Sequence, residues 1–217
     1  MRTAARNLPR ILLLAGLTLL PLRAGTNILF YPFARAFGSP PESELVNCRK
    51  AFTRLQTQLG TSRILIQPVL FVGSPRATWR DRPARELRRG LKEGGIQARF
   101  EIAGAAPEVH RPQLGHNQLR YLWQRSRDYS EWVRSAKPPG DYILFAEVFA
   151  HDGKVGAIHV FILDSSGQVA YCRLFNSHQF GPDLLADDGA PEHWIVSHLL
   201  KDLQRESTEL FPPYGIG

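Results

Sequence analysis

The densest group of side chains able to do chemistry lies near the C-terminus: His178, Asp183, Asp187, Asp188 and His193. Imidazole and carboxylate together suit zinc or a similar ion, and a metal-assisted hydrolase would draw its ligands from His178, Asp183 and His193. Their spacing matches no established ligand pattern. His193 and His198 are five apart, so they do not share a helix face. In the alternative reading Asp187 or Asp188 caps a helix and the histidines are surface groups. His198 lies four residues before Asp202, as an orienting pair or a plain helix-surface pair would. Ser177 beside His178 is an adjacency, with no nucleophile elbow around it. Gly73-Ser74-Pro75 follows an apolar run but lacks phosphate-loop spacing, and Pro75 removes an amide donor. Glu147 interrupts an apolar stretch. It is either a buried carboxylate able to act as a general acid or an outward-facing group. No cofactor motif is present, and no cofactor and no catalytic residue are expected.

The elements that must position these groups follow from periodicity. Leu45, Cys48, Phe52, Leu55 and Leu59 make one helical stripe, which Gly60 ends. Ile64 to Val72 reads as a buried strand, with Pro68 marking an edge or a bulge. A helix over 84–92 ends at Gly94-Gly95, and Gln97 to Ile102 alternates as a strand. A second helix spans 118–135, with Leu119, Leu122, Trp123, Tyr129 and Val133 on its apolar side. Strands at 142–149, 157–164 and 168–175 form a meander, with turns at Asp152-Gly153 and Ser165 to Gly167. A three-residue second loop would put Ile158, Val160 and Ile162 on one core face with Ala170, Cys172 and Leu174. Pro191 opens a last helix that runs to about Arg205. The fold class is α/β of the α+β kind. A mixed five-stranded sheet is built as β-α-β-α, then a three-stranded antiparallel meander and a C-terminal helix, with an extra N-terminal helix.

Residues 1–41 contain no acidic residue. Arg2, Arg6 and Arg10 precede an apolar run from Ile11 to Leu20, and Pro21-Leu22-Arg23-Ala24 follows. This is the layout of an export signal, and the run is half the length of a spanning helix. The expected organisation is a signal over 1–24 (cleaved after Ala24, or retained as an anchor), a linker over 25–43, one domain over 44–211 and a tail over 212–217. The working domain is thereby expected to be periplasmic or extracellular, with membrane association through the N-terminus if the anchor stays.

The 217-residue chain has a formal charge of +7, from 27 basic and 20 acidic residues. Four of the arginines lie in the signal, which leaves a mature balance of +3. Eight of the other basic residues concentrate between Arg76 and Arg99, where Trp79 is the single aromatic and no interleaved series exists to stack successive bases, so no nucleic-acid partner is expected. Arg80, Arg85, Arg88 and Arg89 are instead candidates for contact with an acidic partner, as are Trp123 and Trp132 wherever one is exposed. Cys48 and Cys172 both fall on apolar faces. In an exported protein they allow one disulfide or two buried thiols.

The stretches Gly140 to Val148 (GDYILFAEV) and Val160 to Val169 (VFILDSSGQV) carry a strand-and-turn pattern, preceded by Arg63 to Val69 (RILIQPV). Over about residues 63–209 this resembles the envelope domain shared by the N-terminal part of TolB, the curli-secretion channel subunit CsgG and the LpoB-like activators of penicillin-binding proteins. The chain lacks a lipobox Cys and any transmembrane hairpin of the channel kind, and the helix from Glu42 to Leu59 is additional. The resemblance implies a non-enzymatic domain acting by protein contact in envelope assembly or maintenance. The alternatives are a metal-binding hydrolase-like protein on the His178/Asp183/His193 loop, and a small-ligand or lipid carrier. N-terminal sequencing of the mature protein should begin at Gly25; a start at Met1 would mean that the segment is kept as an anchor.

Overall fold

The computed structural model describes residues 40–73, 77–104, 106–108, 118–151, 154–176 and 190–210. Helix α1 (Glu42–Gln58) opens the domain, with Glu42 and Glu44 in its first turn, where negative charge complements the helix dipole. Strands β1 (Arg63–Ile66), β2 (Val69–Val72) and β3 (Ala77–Arg80) follow, then α2 (Asp81–Glu93) and β4 (Arg99–Ile102). Helix α3 (Gln118–Ala136) leads to β5 (Tyr142–His151), β6 (Lys154–Asp164) and β7 (Val169–Asn176). Helix α4 (Pro191–Asp202) and the single turn α5 (Ser207–Leu210) end the described chain. Among the described residues no helix is long and apolar enough to cross a membrane.

The seven strands form one mixed sheet around β5. On one side β5 pairs in parallel with β1 (Ile66 opposite Leu144) and then with β2 (Leu70 opposite Glu147). Four residues on the β1–β2 side thus span three on β5. The apolar run from Ile64 to Val72 is therefore one strand broken by a bulge at Gln67-Pro68, where the proline cannot donate to the ladder. The sheet has seven strands where the sequence suggests five, because this run counts as two and because β3 is a strand. β3 pairs antiparallel with β2, from Val69↔Arg80 to Val72↔Ala77. On its other side β5 pairs with β6 over its whole length.

A second irregularity corrects the expected meander. Leu163 lies opposite Val169, but Ile162 lies opposite Tyr171, so Ala170 is an extra residue in β7. One added residue exchanges the two faces of everything beyond it. Cys172 and Leu174 therefore stand opposite Phe161 and His159, and share no face with Ile158, Val160 and Ile162. Both faces are buried: α3 stacks Tyr129 on Phe145 and Phe161, while α4 covers the other side, where Asp202 accepts from the Tyr171 hydroxyl at 2.8 Å. The hairpin signal Asp152-Gly153 lies outside the described residues.

Helix α1 lies along β7 and ties the two helical layers together. Phe52 stacks on Tyr171 with ring centroids 6.3 Å apart. Glu44 pairs with Arg127 of α3 at 3.0 Å, and Gln56 donates to the carbonyls of Leu203 and Arg205 just past α4. The stripe Leu45, Cys48, Ala51, Phe52 and Leu55 is buried; each large apolar side chain contributes about 1.5–3 kcal/mol of transfer free energy. Its position beside β7 also shields a sheet edge that would otherwise be open to pairing.

Two aspartates of the strand-and-turn pattern have local structural roles. Asp141 accepts the Arg63 amide at 2.8 Å. Asp164 accepts from the Ser166 and Gln168 amides and the Ser166 hydroxyl, closing the β6–β7 turn in the manner of an Asx turn. Gly167 completes that turn at φ +80°, and a Cβ there would sit 2.7 Å from the Ser130 carbonyl oxygen of α3. Gly167→Ala should therefore lower stability by about 1–3 kcal/mol, read as a denaturation midpoint. Gly60→Ala, which meets nothing within 4 Å, should leave the midpoint within about 0.5 kcal/mol of wild type.

Candidate functional site

The four candidate arginines are positioned by β3 and α2. Helix α2 buries Pro83, Ala84, Leu87 and Leu91 and packs closely on α4 at Gly90, where a Cβ would come 2.9 Å from the Val196 side chain. Its other positions face outward. Asp81, Arg85, Arg88, Arg89, Lys92 and Glu93 form one wall of a groove of about 660 Å³, and Ile102 to Gly104, at the end of β4, form the other.

The arginines differ in how far they are engaged. Arg80 lies over the Phe71 ring at 4.1 Å, a cation–π contact. Arg89 is paired with Glu86 and, at 3.9 Å, with Glu93. Arg85, Arg88 and Lys92 make no ion pair among the described residues. Exposed pairs of the Arg89 kind contribute little to stability, so this face is not organised around its own salt bridges.

The tryptophans do not join this surface. Trp123 is buried, and Trp132 is half-buried, edge-on to Phe145 at 5.8 Å.

A second polar constellation is sealed inside the domain. Glu147, in the middle of β5, is fully buried, as are His159 and Tyr129, and Arg125 is 2% exposed. The Arg125 Nε donates to Glu147 Oε1 at 2.5 Å, and the Tyr129 hydroxyl donates to the same oxygen at 2.7 Å. His159 Nδ1 lies 3.2 Å from Oε2. Burial alone would raise the Glu147 carboxyl, but the His159 hydrogen bond and the Arg125 charge outweigh it and hold it below its ordinary value. Burial and then the Glu147 charge push the Tyr129 phenol well up, so its proton stays on oxygen as a donor. An ionised, water-excluded carboxylate with a fixed cation is not a general acid. Of the two sequence readings of Glu147, burial holds and outward exposure does not. Arg125 is missing from the apolar side of α3 as read from sequence, although Leu122, Arg125, Tyr129 and Val133 fall on one helical stripe. A charged residue on that stripe was the available signal.

Of the remaining candidates only some fall within the described residues. His193 is exposed on α4; His178, Asp183, Asp187 and Asp188 lie outside the described residues, as does Ser177. Among the described residues no three His, Cys, Asp or Glu side chains come together as metal ligands. The N-cap of α4 is Ala190, with no side-chain cap. His198 turns to Trp194, stacking at 4.1 Å and meeting its carbonyl at 3.0 Å; burial lowers its imidazole pKa. Asp202 binds Tyr171 and, at 3.1 Å, Arg173. Cys48 and Cys172 are both buried free thiols and form no disulfide. Burial pushes Cys48 up to about 12 and Cys172 well up, so neither is a ready nucleophile.

No protein-family model matches the chain, and no curated protein matches it. Among solved structures, the PelC dodecamer from Paraburkholderia phytofirmans aligns with 67% of this chain and 89% of its own, at 16% identity and a TM-score of 0.35.

The buried network generates a signed prediction. Glu147→Ala takes from the buried Arg125 guanidinium its closest carboxylate, with Asp128 remaining at 3.7 Å, and should cost about 3–5 kcal/mol at neutral pH. The double variant Glu147→Leu/Arg125→Met should recover more than half of that loss; a double variant as unstable as the single one would contradict the pairing. Because the folded carboxyl titrates below the unfolded one, unfolding takes up a proton. The stability from Glu147 is complete above the unfolded value and declines as pH falls from about 4. The gap between wild type and Glu147→Gln, measured by urea denaturation, should narrow on acidification.

Proposed function

We propose that the chain is an exported, non-catalytic domain that works by protein–protein contact in cell-envelope assembly or maintenance, with the α2 face as its contact surface. One observation carries this reading: Arg85, Arg88 and Lys92 line a groove and make no ion pair among the described residues, while the buried carboxylate–guanidinium–imidazole cluster is sealed from solvent. Charge left uncompensated along a concave wall favours association with an acidic surface and speeds encounter with it.

Two further features support it. The acid-free N-terminal segment has the layout of an export signal, which would deliver the domain to the envelope. The strand-and-turn pattern resembles the TolB N-terminal/CsgG/LpoB-like envelope domain, a resemblance that implies contact in place of chemistry.

The test is site-specific photocrosslinking in intact cells. A photoreactive residue at Arg88 should yield a discrete adduct with an envelope protein, and Arg85→Glu should diminish it. The same residue at Thr53, exposed on α1, should yield none. Equal labelling from both positions, or recovery of the chain alone from Arg88, would overturn the reading.

A further inference from the structure

The groove at α2 has a second component in its sheet edge. Strand β4 pairs only with β1 among the described residues, from Arg63↔Arg99 to Ile66↔Ile102. Arg99 donates to the Ser62 carbonyl and Ala103 to the Ile66 carbonyl, each at 2.9 Å. Backbone groups alternate along a strand, so the odd-numbered residues turn towards β1. Phe100 and Ile102 therefore direct their N–H and C=O groups to the open side.

The side chains sort the same way. Phe100 and Ile102 stand opposite Ile64 and Ile66 and share their face. The acid of β4, Glu101, is on the other face and is already bound by Arg63 and Arg99. The open edge thus meets the groove wall where Arg85, Arg88 and Lys92 project, and Asp81 and Glu93 sit only at the ends of α2.

We propose that this groove takes an extended acidic segment of a partner protein, which adds to the sheet as a strand beside β4. The inference rests on the contact reading above and specifies the partner's chemistry. Strand addition supplies affinity through main-chain hydrogen bonds, and pockets for alternate side chains supply selectivity. Alternate residues of a strand repeat every ~6.8 Å, and Arg85 to Lys92 spans ~10 Å of helix axis. Two acidic residues at i and i+2 of the segment therefore fit the cationic wall. A flat anionic membrane would reach these cations but would leave the Ile102 backbone groups without partners, so a peptide strand satisfies more of the site.

The experiment uses the purified mature chain and fluorescent peptides of about ten residues. One alternates Glu with Val and Thr. A second is identical but N-methylated on the residues that would donate to β4. The alternating peptide should bind, with affinity falling as salt rises. N-methylation, and separately Arg85→Glu/Arg88→Glu, should each weaken binding by about tenfold or more, with the variant's thermal midpoint unchanged. Equal binding of the N-methylated peptide would overturn strand addition, and binding indifferent to the charge reversal would overturn the acidic specificity. Sedimentation showing a dimer through this edge that excludes the peptide would also overturn it, assigning the site to a second copy. If the Arg88 crosslink forms in cells while neither peptide binds, the contact surface stands and the extended acidic segment falls.

Discussion

Glu147 stands on the central strand with no water to solvate it, and the fold is arranged so that Arg125 can answer it. Two charges taken out of water cost several kcal/mol each, and only close geometry repays that. The repayment here comes from a guanidinium reaching down from α3, a phenol beside it on the same oxygen, and an imidazole across the strand pair. These contacts come from one helix and two strands. A slide of α3 by one turn would leave carboxylate and guanidinium apart, so the pair sets where α3 lies on the sheet, and with it the stacking of Tyr129 on Phe145 and Phe161. The turn at Gly167, pressed against the Ser130 carbonyl, depends on the same placement.

Two of the sheet's bulges make this arrangement possible. At Gln67-Pro68 the extra residue lets one run of sequence serve β5 first as β1 and then as β2, and puts Leu70 opposite Glu147. At Ala170 the extra residue turns Cys172 towards the Phe161 side and Tyr171 towards α4. There the Tyr171 hydroxyl reaches Asp202 and its ring meets Phe52. Each bulge costs ladder hydrogen bonds and redirects side chains, and each here aims a group at a partner on a helix.

Much of this was legible in the chain. The stripe from Leu45 to Leu55 announced α1, and the class of fold followed from the order of periodic segments. Pro68 flagged the bulge. Three features were hidden for physical reasons. Strand β3 is four residues long and half polar, so it has no periodicity to read. A sheet covered on both faces is apolar at odd and even positions alike, so the Tyr142 to Phe149 run could not say which way Glu147 points. The slip at Ala170 is a property of pairing between strands, and no count along one strand reveals it. The contact surface was half legible: the run of basic residues at α2 stood out, but not which members were already engaged. Arg80 on Phe71 and Arg89 between two glutamates were indistinguishable in sequence from Arg85 and Arg88.

The place of β5 in the sheet has a consequence in time. Its partners on one side are 77 or 78 residues away along the chain, as in Leu70 opposite Glu147 and Ile64 opposite Tyr142. A chain emerging from a ribosome or threading a narrow pore can form α1 early, and the β2–β3 hairpin, whose pairing is local. It cannot close the sheet until β5 to β7 have emerged, because β1 and β2 have no common neighbour before then. Contacts at such separation are formed late and slowly. The topology thus leaves the sheet open until nearly all of the chain is available to it.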